Sequence, residues 1–253
     1  MPRVHLNFHG LLPFRLEQAV YGSFPFWNRG YGILARSAGC PSASIAAFKS
    51  ACQRFGERPA GTQEADALFA QPLDRGSSMI VGVYPRGADD CARPGAIVFH
   101  ALFAPRWFYR LAAANPFRFS PLLRGDWDAS DVDRILPPLD RLTSRQPHSV
   151  AEQDPEIVLP AIRILESGRR VLLVSEQPAP ALTAEIWGRI PSRIRRRSSM
   201  ATWAYQNDNQ FSLVTMPRRP RHAAAEFSLI IDVAAPANPI STFAPLAPET
   251  IAF

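Results

Sequence analysis

No apolar run in this 253-residue chain reaches the roughly 18–20 uncharged residues that a membrane-spanning helix requires. The apolar residues come in short runs instead, such as 78–84 and 96–103, each bounded by proline or glycine. Runs of that length read as strands, and the Pro- and Gly-containing stretch between these two reads as a loop. Val4, Leu6 and Phe8 alternate with His5, Asn7 and His9, the period of a half-buried strand. Residues 17–22 and 30–37 flank the segment SFPFWNR and predict a hairpin with a long tip.

Helical spacing appears in other places. Ile45, Phe48, Ala51, Cys52 and Phe55 lie close to one helix face that Gly56 closes. Residues 57–76 are polar and small, which predicts a loop. Pro105 suits the first turn of a helix running to Ala114, where its missing N–H costs nothing. Ser130 followed by Asp133 predicts a short capped helix to Leu136. Asp154 and Pro155 begin a better-signalled helix, with Ile157, Val158, Ala161, Ile164 and Leu165 on one face up to Gly168. A strand at 170–175, a helix at about 179–190 and strands at 199–205, 211–216 and 227–233 follow. Helices set between clusters of strands, without strict alternation, predict an α+β fold: a mixed or mostly antiparallel sheet with several packed helices. Residues 1–233 form the globular part, as one domain or as two lobes at about 1–125 and 126–233. Residues 234–253 form a Pro-rich extended tail.

The charge of +6 comes almost wholly from arginine, Lys49 being the only lysine. A GC-rich coding sequence gives the same bias, and net charge speaks to solubility before it speaks to a partner. Three widely spaced cysteines, Cys40, Cys52 and Cys91, match neither a disulfide framework nor zinc-ligand spacing. The start of the chain lacks the basic-then-apolar layout of a signal peptide, so the expectation is a cytoplasmic protein with no membrane partner.

Several chemistry-bearing patterns fail at named positions. Gly30-Tyr-Gly32 lacks the third glycine and the following helix of a dinucleotide site, and no Gly-Lys-Ser/Thr phosphate loop occurs, so no cofactor is expected. The acidic run 126–133 begins like a calcium loop but has Asp131 where glycine is needed and Pro137 where glutamate is needed. Cys40 stands beside a helix start, a position for a nucleophile, with no histidine or acid tied to it in sequence. His5, His9 and His100 offer imidazoles for a metal-dependent hydrolase without an acidic or thiol ligand at diagnostic spacing, and no metal ligand is assigned. Arg193, Arg195, Arg196 and Arg197 form the densest charge. With Trp203 and Tyr205 following as stacking groups, they are candidate nucleic-acid contacts.

Two blocks of residues, and a third further on, resemble a known family. Gln18-Ala-Val-Tyr-Gly22, a turn and Gly30-Tyr-Gly-Ile-Leu-Ala-Arg-Ser37 form the first; Arg93-Pro-Gly95-Ala-Ile-Val-Phe-His100-Ala-Leu102 the second. Val171-Leu-Leu-Val174, the helix to Ile190-Pro191, then Arg195 and 199–203 form the third. In that order they resemble the N-terminal domain of the GTPase-associated proteins of bacterial conflict, or defence, systems. Tyr31 stands where that family has His. The resemblance implies a non-enzymatic adaptor or scaffold working with protein partners, a GTPase among them, and it carries over no catalytic residue. Phe24, Phe26 and Trp27 at the hairpin tip are the candidate partner contacts, since large apolar groups anchor interfaces. Arginine-mediated nucleic-acid binding is the alternative.

Overall fold

The computed structural model describes residues 15–24, 30–73, 76–139 and 155–233. The alternating segment with His5 and His9, the aromatics Phe26 and Trp27, and the tail 234–253 lie outside the described residues. One mixed sheet of ten strands organises the rest. Its strands are β1 (Glu17–Gly22), β2 (Gly32–Ser37), β3 (Ala67–Leu73), β4 (Ser77–Pro85), β5 (Ile97–Pro105), β6 (Ile135–Leu136), β7 (Val171–Val174), β8 (Met200–Ala201), β9 (Leu213–Met216) and β10 (Leu229–Asp232). The spatial order is β10-β7-β9-β8-β3-β4-β5-β1-β2-β6. Helices α1 (Ser42–Gln53), α2 (Arg106–Leu111), α3 (Pro155–Glu166), α4 (Pro180–Arg189), α5 (Ser192–Arg195) and α6 (Ala223–Glu226) pack around it. The architecture is α+β, as the clustering of strands predicts. No helix among the described residues is long and apolar enough to cross a membrane.

The apolar runs are unbroken because the middle of the sheet is covered on both faces. Leu68, Ala70, Ile80, Leu102 and Ala104 point to a core shared with α2, α3, α4 and Ile194 of α5. Their neighbours Ala67, Phe69, Met79, Val81, Ala101 and Phe103 point to a second core, closed by Phe48, Ala51, Cys52 and Phe55 of α1 and by Trp203 and Phe211. The strands β8, β3, β4, β5, β1 and β2 run antiparallel to one another, while β10, β7, β9 and β8 are parallel. A β3–β8 ladder, with Phe69 opposite Ala201 and Ala70 opposite Met200, joins the two parts into one sheet.

Several elements differ from the sequence expectation. The stretch expected as loop from 57 to 76 contains β3, because Ala67-Leu-Phe-Ala70 is shielded by both cores and the polar residues before it only form the approach. The helix expected from Ser130 is a single 3-10 turn, Ala129–Asp131, capped by Asp128 and Asp131. Ile135–Leu136 then pairs with β2 as a parallel edge strand. Helix α2 stops at Leu111, where Ala113 and Ala114 adopt left-handed φ values of 57° and 53°. The arginines after Pro191 start on a helical turn, α5, and the strand that follows is only two residues long.

Candidate functional site

The residues of the first two family-like blocks meet in one hydrogen-bond network. Antiparallel pairing sets Val20 opposite His100 and Gln18 opposite Leu102, so Gln18 and His100 are diagonal neighbours on one sheet face. His100 is fully buried, and its Nδ1 accepts from the Arg124 backbone N–H at 2.8 Å. Its Nε2 therefore carries the proton and donates to Gln18 Oε1 at 2.9 Å, while Gln18 Nε2 donates to the Pro137 carbonyl at 2.6 Å. The Trp127 ring packs edge-on at 4.9 Å. Burial, reinforced by the nearby Arg124 charge, holds the imidazole down at about 3. Both ring nitrogens are occupied, so His100 has no lone pair for a metal. The three-histidine constellation loses this member to the scaffold.

Ser37 and Cys40 belong to the same knot. The Ser37 hydroxyl accepts from Gln18 N at 3.0 Å, and Cys40 Sγ donates to the Gln18 carbonyl at 3.3 Å. Burial pushes the Cys40 thiol up to about 11, with the Glu17 carboxylate adding to the effect. A thiol held there is not a nucleophile near neutral pH. A disulfide-exchange reagent at pH 7.5 is expected to label exposed Cys91 first, Cys40 at least tenfold more slowly, and buried Cys52 only on unfolding. Rapid labelling of Cys40, read by mass spectrometry, would contradict this assignment.

Phe24 at the neck of the hairpin is only 7% exposed and packs with Val20, Leu34, Val98 and Trp127. It is a core residue, which corrects its expected place among the partner contacts. The neck is clamped by Asp90, whose backbone N–H donates to Ser23 Oγ at 3.1 Å and whose carboxylate accepts from Gly30 N at 2.6 Å. Asp89 and Asp90 gather with Cys91 in the following turn, where Asp89 is bonded to the backbone and guanidinium of Arg93. The acidic run likewise serves the loop: Asp128 caps its turn and Asp131 pairs with Arg134 and Arg124.

The arginine cluster divides. Arg193 is exposed, whereas Arg195 is 8% exposed and lies against Tyr109, burial lowering its basicity. Trp203 is buried at the foot of the second core and Tyr205 packs on Phe55, so neither is a free stacking platform. Arg196 and Arg197 instead come together with Arg106, Ser77 and Ser78 around a pocket of about 160 Å³, with Pro72 and Leu73 completing its wall. Strand register explains the meeting. Ser77 stands opposite both Leu73 and Pro105, which brings the start of α2 to the β3–β4 turn. The Arg106 backbone N–H donates to the Gly76 carbonyl at 2.7 Å, and Gly76 turns the chain at φ 85°. The Ala70–Met200 pairing lays the residues before β8 beside Pro72. Buried Ile194 anchors that turn, accepting at its carbonyl from the N–H groups of Arg197 and Ser198. Arg106, Ser77 and Ser78 carry no sequence signal for such a site, because their relation to Arg196 exists only in the sheet.

A second, wider cleft of about 480 Å³ lies where parallel strands β7 and β9 end, lined by Glu176, Gln177, Pro217, Arg218 and residues 61–63. Arg218 spans it to donate to the Ala60 carbonyl at 3.0 Å. No family model matches the chain, and no curated protein matches it.

Proposed function

We propose that the chain is a non-enzymatic adaptor or scaffold module of a bacterial GTPase-associated conflict system, acting by contacts with protein partners. The observation that carries this reading is the Gln18–Ser37–His100 network. Gln18, Ser37 and His100, three of the residues that bear the family resemblance, tie β1 to β2 and β5, and all three are buried. Strands β1 and β2, fastened in this way, carry residues 25–29 between them. At the start of β2 Tyr31 is 37% exposed, and at its far end Ile135 on the edge strand β6 is 75% exposed, giving apolar area for a protein contact. Replacing residues 25–29 with a Gly-Ser linker spares Ser23 and Phe24, and so spares the fold. Co-purification from the native host is expected to lose its protein partner, a GTPase, at least tenfold with this variant. Unchanged recovery would reject the hairpin as the contact.

A second reading, nucleic-acid binding, rests on the convergence of Arg196 and Arg197 with Arg106. The burial of Arg195 and Trp203 narrows it from a stripe of basic and aromatic residues to one compact pocket.

A further inference from the structure

We propose that the Arg106–Arg196–Arg197 pocket is a receptor for a single dianionic phosphoryl group, carried by inorganic phosphate or a small phosphate monoester. Three arginines line the pocket, and its remaining polar residues are Ser77 and Ser78. Among the described residues none of the three arginines forms an ion pair or a side-chain hydrogen bond, although seven ion pairs occur elsewhere. The Nε–H of Arg196 is buried without an acceptor, an arrangement that native proteins seldom leave unanswered. Arg195, the preceding residue, is 8% exposed and adds a further positive charge to this segment. An oxyanion in a pocket lined by three arginines gains charge-assisted hydrogen bonds from them.

Size and charge choose among anions. At about 160 Å³ the pocket is well below the roughly 300–1,000 Å³ that encloses a drug-sized molecule, so it takes a group rather than a whole ligand. A phosphate monoester carries about −1.5 to −2 charge at neutral pH, whereas each phosphate of a nucleic-acid backbone carries one. Three arginines around one pocket suit the former, and a single compact pocket is not a track for a strand. This inference is independent of the hairpin contact: either can fail without the other.

The test uses the whole chain at pH 7.5 and titrates it calorimetrically with sodium phosphate, against sodium chloride at matched ionic strength and against dimethyl phosphate, a monoanionic diester. Saturable binding of phosphate is expected, at least tenfold tighter than dimethyl phosphate. R106Q and R197Q, both at exposed positions, are each expected to weaken it tenfold or more with an unchanged melting temperature in the absence of phosphate. R196Q adds a third arm, read against its own melting temperature. Adenosine 5′-monophosphate separates the two sources: tighter binding than phosphate indicates a nucleotide, equal binding the free ion. Equal response to phosphate and chloride, or affinity untouched in R106Q and R197Q, would overturn the proposal. Equal binding of 5′-phosphorylated and 5′-hydroxyl oligonucleotides, both lost in R197Q, would overturn it in favour of backbone recognition.

Discussion

Taking the protein from pH 7 to pH 4 is expected to remove roughly 3 kcal/mol of stability through His100 alone, since each tenfold difference in proton affinity between the folded and unfolded chain is worth about 1.36 kcal/mol. The ordinary imidazole value of 6.5 applies to the unfolded chain, and burial depresses the folded value to about 3. Between those limits the unfolded state takes up a proton that the folded state refuses. Stability from this group is therefore complete above pH 6.5, declines as pH falls through the window, and stops declining near pH 3. Urea unfolding at pH 7 and pH 4, on the natural protein and on H100Q, isolates the effect. H100Q is expected to be less stable at pH 7, because a flexible amide replaces a rigid ring whose two nitrogens are set for the Arg124 N–H and Gln18 Oε1. Its loss between the two pH values should be smaller by roughly 3 kcal/mol. Carboxylates held below their usual range, Asp126 by Arg124 and Asp128 by Ser130, also lose stabilising contacts in acid. They are present in both proteins and cancel in the difference. Identical losses would show that His100 does not stay neutral in the fold.

The same histidine shows where sequence reading succeeds and where it stops. Punctuation by Gly and Pro places β1, β2, β4 and β5, and helical spacing places α1, α3 and α4, because those signals are local. The reading of His100 as a metal candidate fails because a strand's polar-looking residue can face inward when a diagonal neighbour satisfies it. Gln18, which does so, is 82 positions away. Strand β3 hides for a related reason: its apolar core is four residues long and follows a polar stretch, and the strand then runs into Pro72, so only burial by two cores makes it a strand. For the arginines, sequence density marks Arg193, Arg195, Arg196 and Arg197 alike. The single turn of α5 then buries one, exposes another and delivers the last two to the pocket lined by Arg106. Charge runs reveal composition; which charges cooperate is set by the β3–β4–β5 register.

Replacing Trp187 with alanine is expected to destabilise the fold by about 4–5 kcal/mol, the combined result of a large cavity and a lost hydrogen bond. Trp187 on α4 is fully buried in the core that α2 and α3 share, and its Nε1 donates to the Ala114 carbonyl at 3.1 Å. Ala113 and Ala114 are the left-handed residues that end α2, a conformation costly for a residue with a Cβ, so their turn depends on outside support. That support comes from Trp187 and from the Ala114 N–H bond to the Tyr109 carbonyl at 2.8 Å. W187F keeps most of the volume and loses the N–H, so its cost is expected near 1–2 kcal/mol. Denaturant midpoints of the two variants measure both terms, and equal costs would mean that packing at this position is not what holds α4 to α2. The consequence for the arginine pocket is separable. Arg106 is fixed at the other end of α2 by its bond to Gly76. Folded W187A should therefore keep its phosphate affinity while losing stability, and R106Q should lose the affinity while keeping the stability. The reciprocal outcome requires α2 to act as one rigid lever between Ala114 and Ser77, and would place the pocket under the control of the core behind it.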